Sequence, residues 1–259
     1  MAHALQDTAT EPAGVSRYVR LKPMLVALLG LLVLFSAARL YQQAFAWYAG
    51  TDTTSPLFAK YWLRVFYIET SVALIVAAIV YGYIWITRDR HLDKLDPHTE
   101  LRRHFTLVTF LVVYVFAVYA TGSFFAEEDG AWHQVVVRDT ALTANHIFLF
   151  YLGIPVYLIC GIGAYLYAMT RIPQFARGIS LAFTAGVAGP FMILPNLGYN
   201  EWGHAFWITE EIFSAPLHWG FVVLGWSALG LVGTLLQIVY RMIELFHQIF
   251  VAERARAAV

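Results

Sequence analysis

The chain has 259 residues, of which 59% are hydrophobic and 13% charged, and its formal net charge is zero. This balance belongs to membrane proteins and leaves no electrostatic footprint for nucleic acid. The single cysteine, Cys160, lies inside an apolar run, so neither an internal disulfide nor a thiolate metal site can form within the chain.

Six stretches are long enough to cross a bilayer, which needs roughly 20 mostly apolar residues. The first, 23–47, follows Arg17, Arg20 and Lys22. A cleaved secretory signal ending near Ser36-Ala37-Ala38 is one reading. A retained signal-anchor helix is preferred, because the amphipathic stretch to Trp47 lengthens it. The second, 61–86, carries Arg64 and, further in, Glu69. Charges in lipid are costly and normally paired, so Glu69 is expected to pair with Arg39 of the first span, a proton-pathway role being the alternative.

The third and fourth spans are predicted over 105–125 and 147–169. The fifth, 178–197, is interrupted by Gly189-Pro190 and Pro195. Such a break is either a plain kink or backbone unwound against a cavity. The sixth covers 217–246, and Trp47, Trp62, Trp132, Trp202 and Trp219 fall near segment ends, as an interfacial aromatic belt does. The expected fold is an all-α integral membrane protein, a bundle of about six transmembrane helices. Residues 23–246 form its single domain, and 1–22 and 247–259 are cytoplasmic ends.

Thirteen of the 17 Lys and Arg residues fall in the amino-terminal segment, the second-to-third and fourth-to-fifth connections, and the carboxyl end. With six spans these all share one side, which is therefore read as cytoplasmic. The opposite connections are acidic, with Glu127, Glu128, Asp129 and Asp139 in one and Glu201, Glu210 and Glu211 in the other.

Two segments in those outer connections share a pattern. Asp129-Gly-Ala-Trp-His133 is followed by His146, and Asn200-Glu-Trp-Gly-His204 by His218. Each puts an oxygen ligand and an imidazole four apart, on one side of a helical turn, and adds a second imidazole from the start of the next apolar segment. Two nitrogens and one oxygen suit copper or zinc with positions left open. Copper is preferred by the Irving–Williams order and by an outward-facing site, although spacing does not separate the two metals. The asparagine motif is the poorer site, since a neutral amide is a weak ligand. Arg138-Asp139 and Glu210-Glu211 either orient the imidazoles or are solvated loop charges. His3, His91, His98, His104 and His247, all on the predicted cytoplasmic side, are read as interfacial side chains.

Several runs resemble the C subunit of the copper membrane monooxygenases, the family of particulate methane, ammonia and short-chain hydrocarbon monooxygenases. They include Lys60-Tyr-Trp62, Thr87-Arg-Asp-Arg90, Gly122-Ser-Phe-Phe125 and Asp129-Gly-Ala-Trp-His-Gln134. The densest are Gly189-Pro-Phe-Met-Ile-Leu-Pro-Asn196, Asn200-Glu-Trp-Gly-His204 and Ala215-Pro-Leu-His-Trp-Gly220. The resemblance runs from about residue 40 to 240, with the amino terminus unmatched.

The resemblance implies one copper held by Asp129, His133 and His146 and a neighbouring copper held by Asn200, His204 and His218. These six are also the expected catalytic residues. Glu128 departs from the Gln of many relatives and leaves the ligand shell open. The implied partners are two other subunits in a trimer of heterotrimers, with membrane lipid around them. The implied reaction uses O2 and a reductant, quinol, to hydroxylate methane, ammonia or a short alkane. The implied location is a bacterial inner or intracytoplasmic membrane, with the metal sites toward the periplasm. Alternatives are a copper-relay or scaffold role in the same complex, and a haem-b electron carrier with axial histidines. A zinc hydrolase is disfavoured, because no His-Glu-x-x-His unit is present.

Overall fold

The computed structural model describes residues 18–126, 142–189 and 226–257. Five helices among these residues are long and apolar enough to cross a membrane. They are α1 (Leu21–Ala49), α2 (Pro56–Ile86), α3 (Pro97–Phe125), α4 (Ala144–Arg171) and, after two short helices, α7 (Trp226–Ala257). The short ones are α5 (Pro173–Ala176) and α6 (Leu181–Ala188). No strand occurs among the described residues. The expected fifth span is represented by α6, and its remainder from 190 lies outside the described residues. The expected sixth span is α7, described from Trp226 and continuing to Ala257, past the span end read at 246.

Local chemistry sets the helix starts. Ser55 and Asp96 each precede a proline, and their side chains accept from the backbone N–H of Leu57 and Thr99. The proline supplies a fixed φ where no N–H is needed, and the cap satisfies an orphan donor. Ser180 caps α6 in the same way through Phe183 N. Lipid leaves no alternative partner for backbone groups along the spans, so apolar runs of this length fold as helices.

α3 and α4 form the centre. In the most apolar stretch of each, 44% and 50% of the residues are buried inside the chain, against 11% for α1 and 0% for α2. α1 and α2 therefore present apolar faces outward. Small residues let helices approach closely where packing replaces the hydrophobic effect. Gly230 of α7 lies against Gly186 of α6, so that a Cβ on Gly230 would sit 2.6 Å from Gly186 Cα.

Three stretches of π-helix interrupt the spans: Ala59–Leu63 in α2, Gly122–Ala126 ending α3, and Ile147–Gly153 in α4. The last has a visible cause. Pro155 has no N–H for Tyr151 and would crowd that carbonyl, and the wider turn, with Ile154 N–H reaching Leu149 O, relieves both problems.

Chain direction follows from long-range contacts. Gln42 of α1 meets Asn145 at the start of α4, and Asn145 meets Phe125 at the end of α3. Arg241 of α7 meets Glu100 near the start of α3. The bundle thus has one end built from Glu100, Arg171 and Arg241 and another built from Gln42, Phe125 and His146. A helix of about 29 residues separates them by roughly 40 Å.

Candidate metal centre

His146 lies in the first turn of α4. Thr143 caps that turn, its hydroxyl accepting from His146 N at 3.3 Å. The imidazole is 1% exposed and stacks on Phe150, with centroids 4.5 Å apart and planes 22° from parallel. Aromatic rings fill the space beside this turn. Phe148 packs against Phe125 at 5.7 Å and Trp62 at 5.8 Å, and Trp62 packs edge-on against Tyr41 at 5.7 Å. Such a wall excludes water and holds the first turn in one position.

A polar strut crosses that wall. Gln42 Nε2 donates to Asn145 Oδ1 at 2.7 Å, and Asn145 Nδ2 donates to the Phe125 carbonyl at 3.3 Å. Arg39 Nη1 donates to Gln42 Oε1 at 2.9 Å. Gln42 is 3% exposed and Asn145 is fully buried, so these bonds form where water does not compete. They tie α1 and the end of α3 to the residue next to His146. Neither Gln42 nor Asn145 stood out in the sequence. The signal that could have found them was an amide inside an apolar run, which is costly in lipid and so needs a partner.

The expected Arg39–Glu69 pair is not formed. Arg39 is turned to Gln42, and Glu69 makes no ion pair among the described residues. The amide offers Arg39 a partner on its own helix, one turn away, which a carboxylate on α2 does not.

Of the six expected ligands, His146 is described. Asp129, His133, Asn200, His204 and His218 lie outside the described residues, as do Glu128, Arg138, Asp139, Glu210 and Glu211. Among the described residues no three His, Cys, Asp or Glu side chains gather as a metal site would require. The ends that flank the two motif-bearing stretches are described. Residues 127–141 join Ala126 to Leu142 beside His146. Residues 190–225 join α6 to α7. Tyr114, in the half of α3 nearer Phe125, donates to Gly186 O of α6, and Gly186 faces Gly230 near the start of α7. Both stretches therefore leave from the half of the bundle that carries His146.

The histidines read as interfacial behave differently from one another. His91 and His247 are exposed. His98 bonds the Tyr18 hydroxyl at 2.6 Å. His104 is fully buried, a correction to the interfacial reading, with Nδ1 donating to Glu100 O at 2.9 Å. His3 lies outside the described residues. At this end Arg241 grips Glu100 with two bonds of 2.8 and 3.0 Å, and Arg103 bridges Asp89 at 2.7 Å and the Arg171 carbonyl at 2.6 Å. The His91 backbone N–H and the Arg103 guanidinium together hold the Asp89 carboxyl below its ordinary range.

Fold and composition define an integral membrane protein built from apolar helices, with a buried imidazole at one end. A family model for the C subunit of ammonia monooxygenase/methane monooxygenase (AmoC) matches residues 5–249. The chain therefore belongs to that family and is one component of a membrane monooxygenase, an oxidoreductase as a complex, with the other monooxygenase subunits as partners. The match begins well before residue 40, the limit set from the sequence runs. No individual curated protein matched the chain.

Proposed function

We propose that this chain carries the copper sites of its monooxygenase. Asp129, His133 and His146 hold one copper and Asn200, His204 and His218 hold a second, and both face the periplasmic side of a six-span bundle. The complex is a trimer of heterotrimers that takes electrons from quinol and hydroxylates methane, ammonia or a short alkane. The observation that supports this reading most is His146: a buried imidazole, fixed by a capped turn and an aromatic wall, next to the segment that supplies Asp129 and His133.

The donor set fits the metal. Neutral imidazole nitrogens with one oxygen donor bind divalent copper well, and three ligands leave a position open for O2. Copper, when bound, supplies the one-electron chemistry that activates O2. The chain's own contribution is positional. Thr143 and the Gln42–Asn145 strut fix the backbone that carries His146. Phe150 fixes the plane of its ring, and the rings of Phe125, Phe148 and Trp62 keep water from the turn. A small apolar substrate partitions into lipid and can approach such a site without crossing water.

The test is copper content and substrate oxidation in native membranes for Asp129→Ala and Asn200→Ala, with complex assembly checked on native gels. Loss of copper and oxidation with the complex intact supports the reading. Oxidation that persists after copper is lost assigns the chain a scaffold or copper-relay role.

A further inference from the structure

A cavity of about 520 Å³ opens between α1, α2 and α4 across the middle of the bundle, reaching Tyr41 and Phe148 on the side that carries His146. Its walls are apolar except near Glu69, and Tyr41, Phe148 and Tyr151 supply aromatic faces. Ile68 and Val72 line it while more than half exposed, so the cavity communicates with the outside of the bundle at membrane depth. Glu69 Oε2 is buried and has no hydrogen-bond partner among the described residues. Arg39, which charge pairing would have placed there, is engaged by Gln42.

A carboxyl in an apolar membrane cavity is unfavourable unless something bonds it. Structural service to the helix packing does not explain Glu69, because no described group meets its Oε2. The volume lies within the roughly 300–1,000 Å³ of small-molecule pockets, far above what a molecule of one or two heavy atoms needs. A ligand that fits these walls has a flat ring, a hydroxyl that donates to Glu69, and an apolar tail leaving toward lipid past Ile68 and Val72.

We propose that this cavity binds a lipid-soluble aromatic alcohol of the hydroquinone class, with its ring against Tyr41, Phe148 and Tyr151 and its hydroxyl on Glu69. An aliphatic alcohol would satisfy Glu69 but leave the aromatic faces without a matching ring. The site lies close to the metal-side wall, since Tyr41 and Phe148 line the cavity and also pack on Trp62. The proposal deepens the proposed function, in which quinol is the reductant. It rests on that reading for the ligand's source, whereas binding itself is tested without turnover.

The experiment is photolabelling of the intact complex in native membranes with an azido-hydroquinone bearing a decyl tail, and in parallel with a diazirine-bearing hexadecanol, followed by peptide mapping. The hydroquinone probe is expected to label the 65–76 and 148–160 peptides, in competition with unlabelled decylubiquinol, while the alcohol does not. Glu69→Leu should weaken labelling about tenfold, the effect of one buried hydrogen bond. Glu69→Gln keeps an acceptor and should label nearly as wild type. Ala73→Trp fills the cavity from α2, one turn from Glu69, while keeping the carboxyl in the chain, and should abolish labelling, which guards against a Glu69 variant that fails to assemble. Equal labelling by both probes, no labelling, or labelling unchanged in both Glu69→Leu and Ala73→Trp overturns the proposal. These outcomes are independent of copper content, so the binding site and the metal assignment can fail separately.

Discussion

Gln42 of α1 and Asn145 of α4 share a buried hydrogen bond of 2.7 Å across 103 residues of sequence. Among the described residues it is a polar link between the outward-facing first helix and the turn that carries His146. Removing Gln42 leaves the Asn145 amide buried with one partner fewer, at a cost of about 1–3 kcal/mol. Gln42→Leu should therefore lower the thermal stability of the complex and reduce copper retention during purification. Gln42→Glu, which keeps an acceptor for Arg39 but gives Asn145 no donor from its carboxylate, should also weaken retention. Copper per complex after detergent extraction, measured for both variants, checks this.

The opposite end depends on Arg241 and Glu100. The Glu100 side chain is 5% exposed and that of Arg241 28%, so truncating the arginine strands a buried carboxylate. Arg241→Ala should destabilise the complex by about 3 kcal/mol, the lower end for breaking a buried pair because water reaches Arg241. Arg241→Met/Glu100→Leu should recover most of that loss, since an apolar pair needs no compensation. Thermal unfolding of the complex in lipid nanodiscs distinguishes the two variants.

Gly230 faces backbone, which cannot yield. A Cβ there would lie 2.6 Å from Gly186 Cα and 2.8 Å from Ala182 O. Gly230→Val should push α7 from α6 and cost about 1–3 kcal/mol or more. The same helices flank the stretch with Asn200, His204 and His218, so on the proposed copper assignment the expected signature is loss of copper before loss of assembly. Copper content against native-gel mobility reads the order.

Asp89 gives an acid limb to stability. The His91 N–H and Arg103 hold its folded-state acidity below the ordinary value of 3.8. A carboxyl shifted this way stabilises fully above its unfolded value, and the contribution fades as pH falls through the folded value. Stability in nanodiscs should be insensitive to pH through Asp89 at about pH 6–7, and below about pH 4 the wild type should lose its advantage over Asp89→Asn. Unfolding temperatures of both proteins across that range test the sign.

The spans could be read from the sequence because lipid enforces one rule: a run of apolar residues of bilayer length folds as a helix. That is why 23–47 and 147–169 correspond to α1 and α4. The π turns could not, since Ile147–Gly153 depends on how Pro155 is accommodated against its neighbours rather than on periodicity. Charge pairing also misled. Arg39 and Glu69 are opposite in sign, but a nearer amide at Gln42 took the arginine. Composition treated His104 and His98 alike as interfacial, whereas tertiary packing buried His104 completely between Glu100 and Gln174. For the candidate site, the sequence singled out His146 by its spacing from His133, whereas the Gln42–Asn145 strut behind it joins residues too distant in the chain to leave any local pattern.

His146 and His104 are both buried imidazoles in one chain, at opposite ends of the bundle. The most direct measurement is therefore copper per complex in native membranes for His146→Ala beside His104→Ala, with assembly verified on native gels. The account predicts that His146→Ala loses copper and substrate oxidation while the complex assembles, and that assembled His104→Ala keeps its copper. Full copper in assembled His146→Ala, or equal loss in both variants, would contradict it.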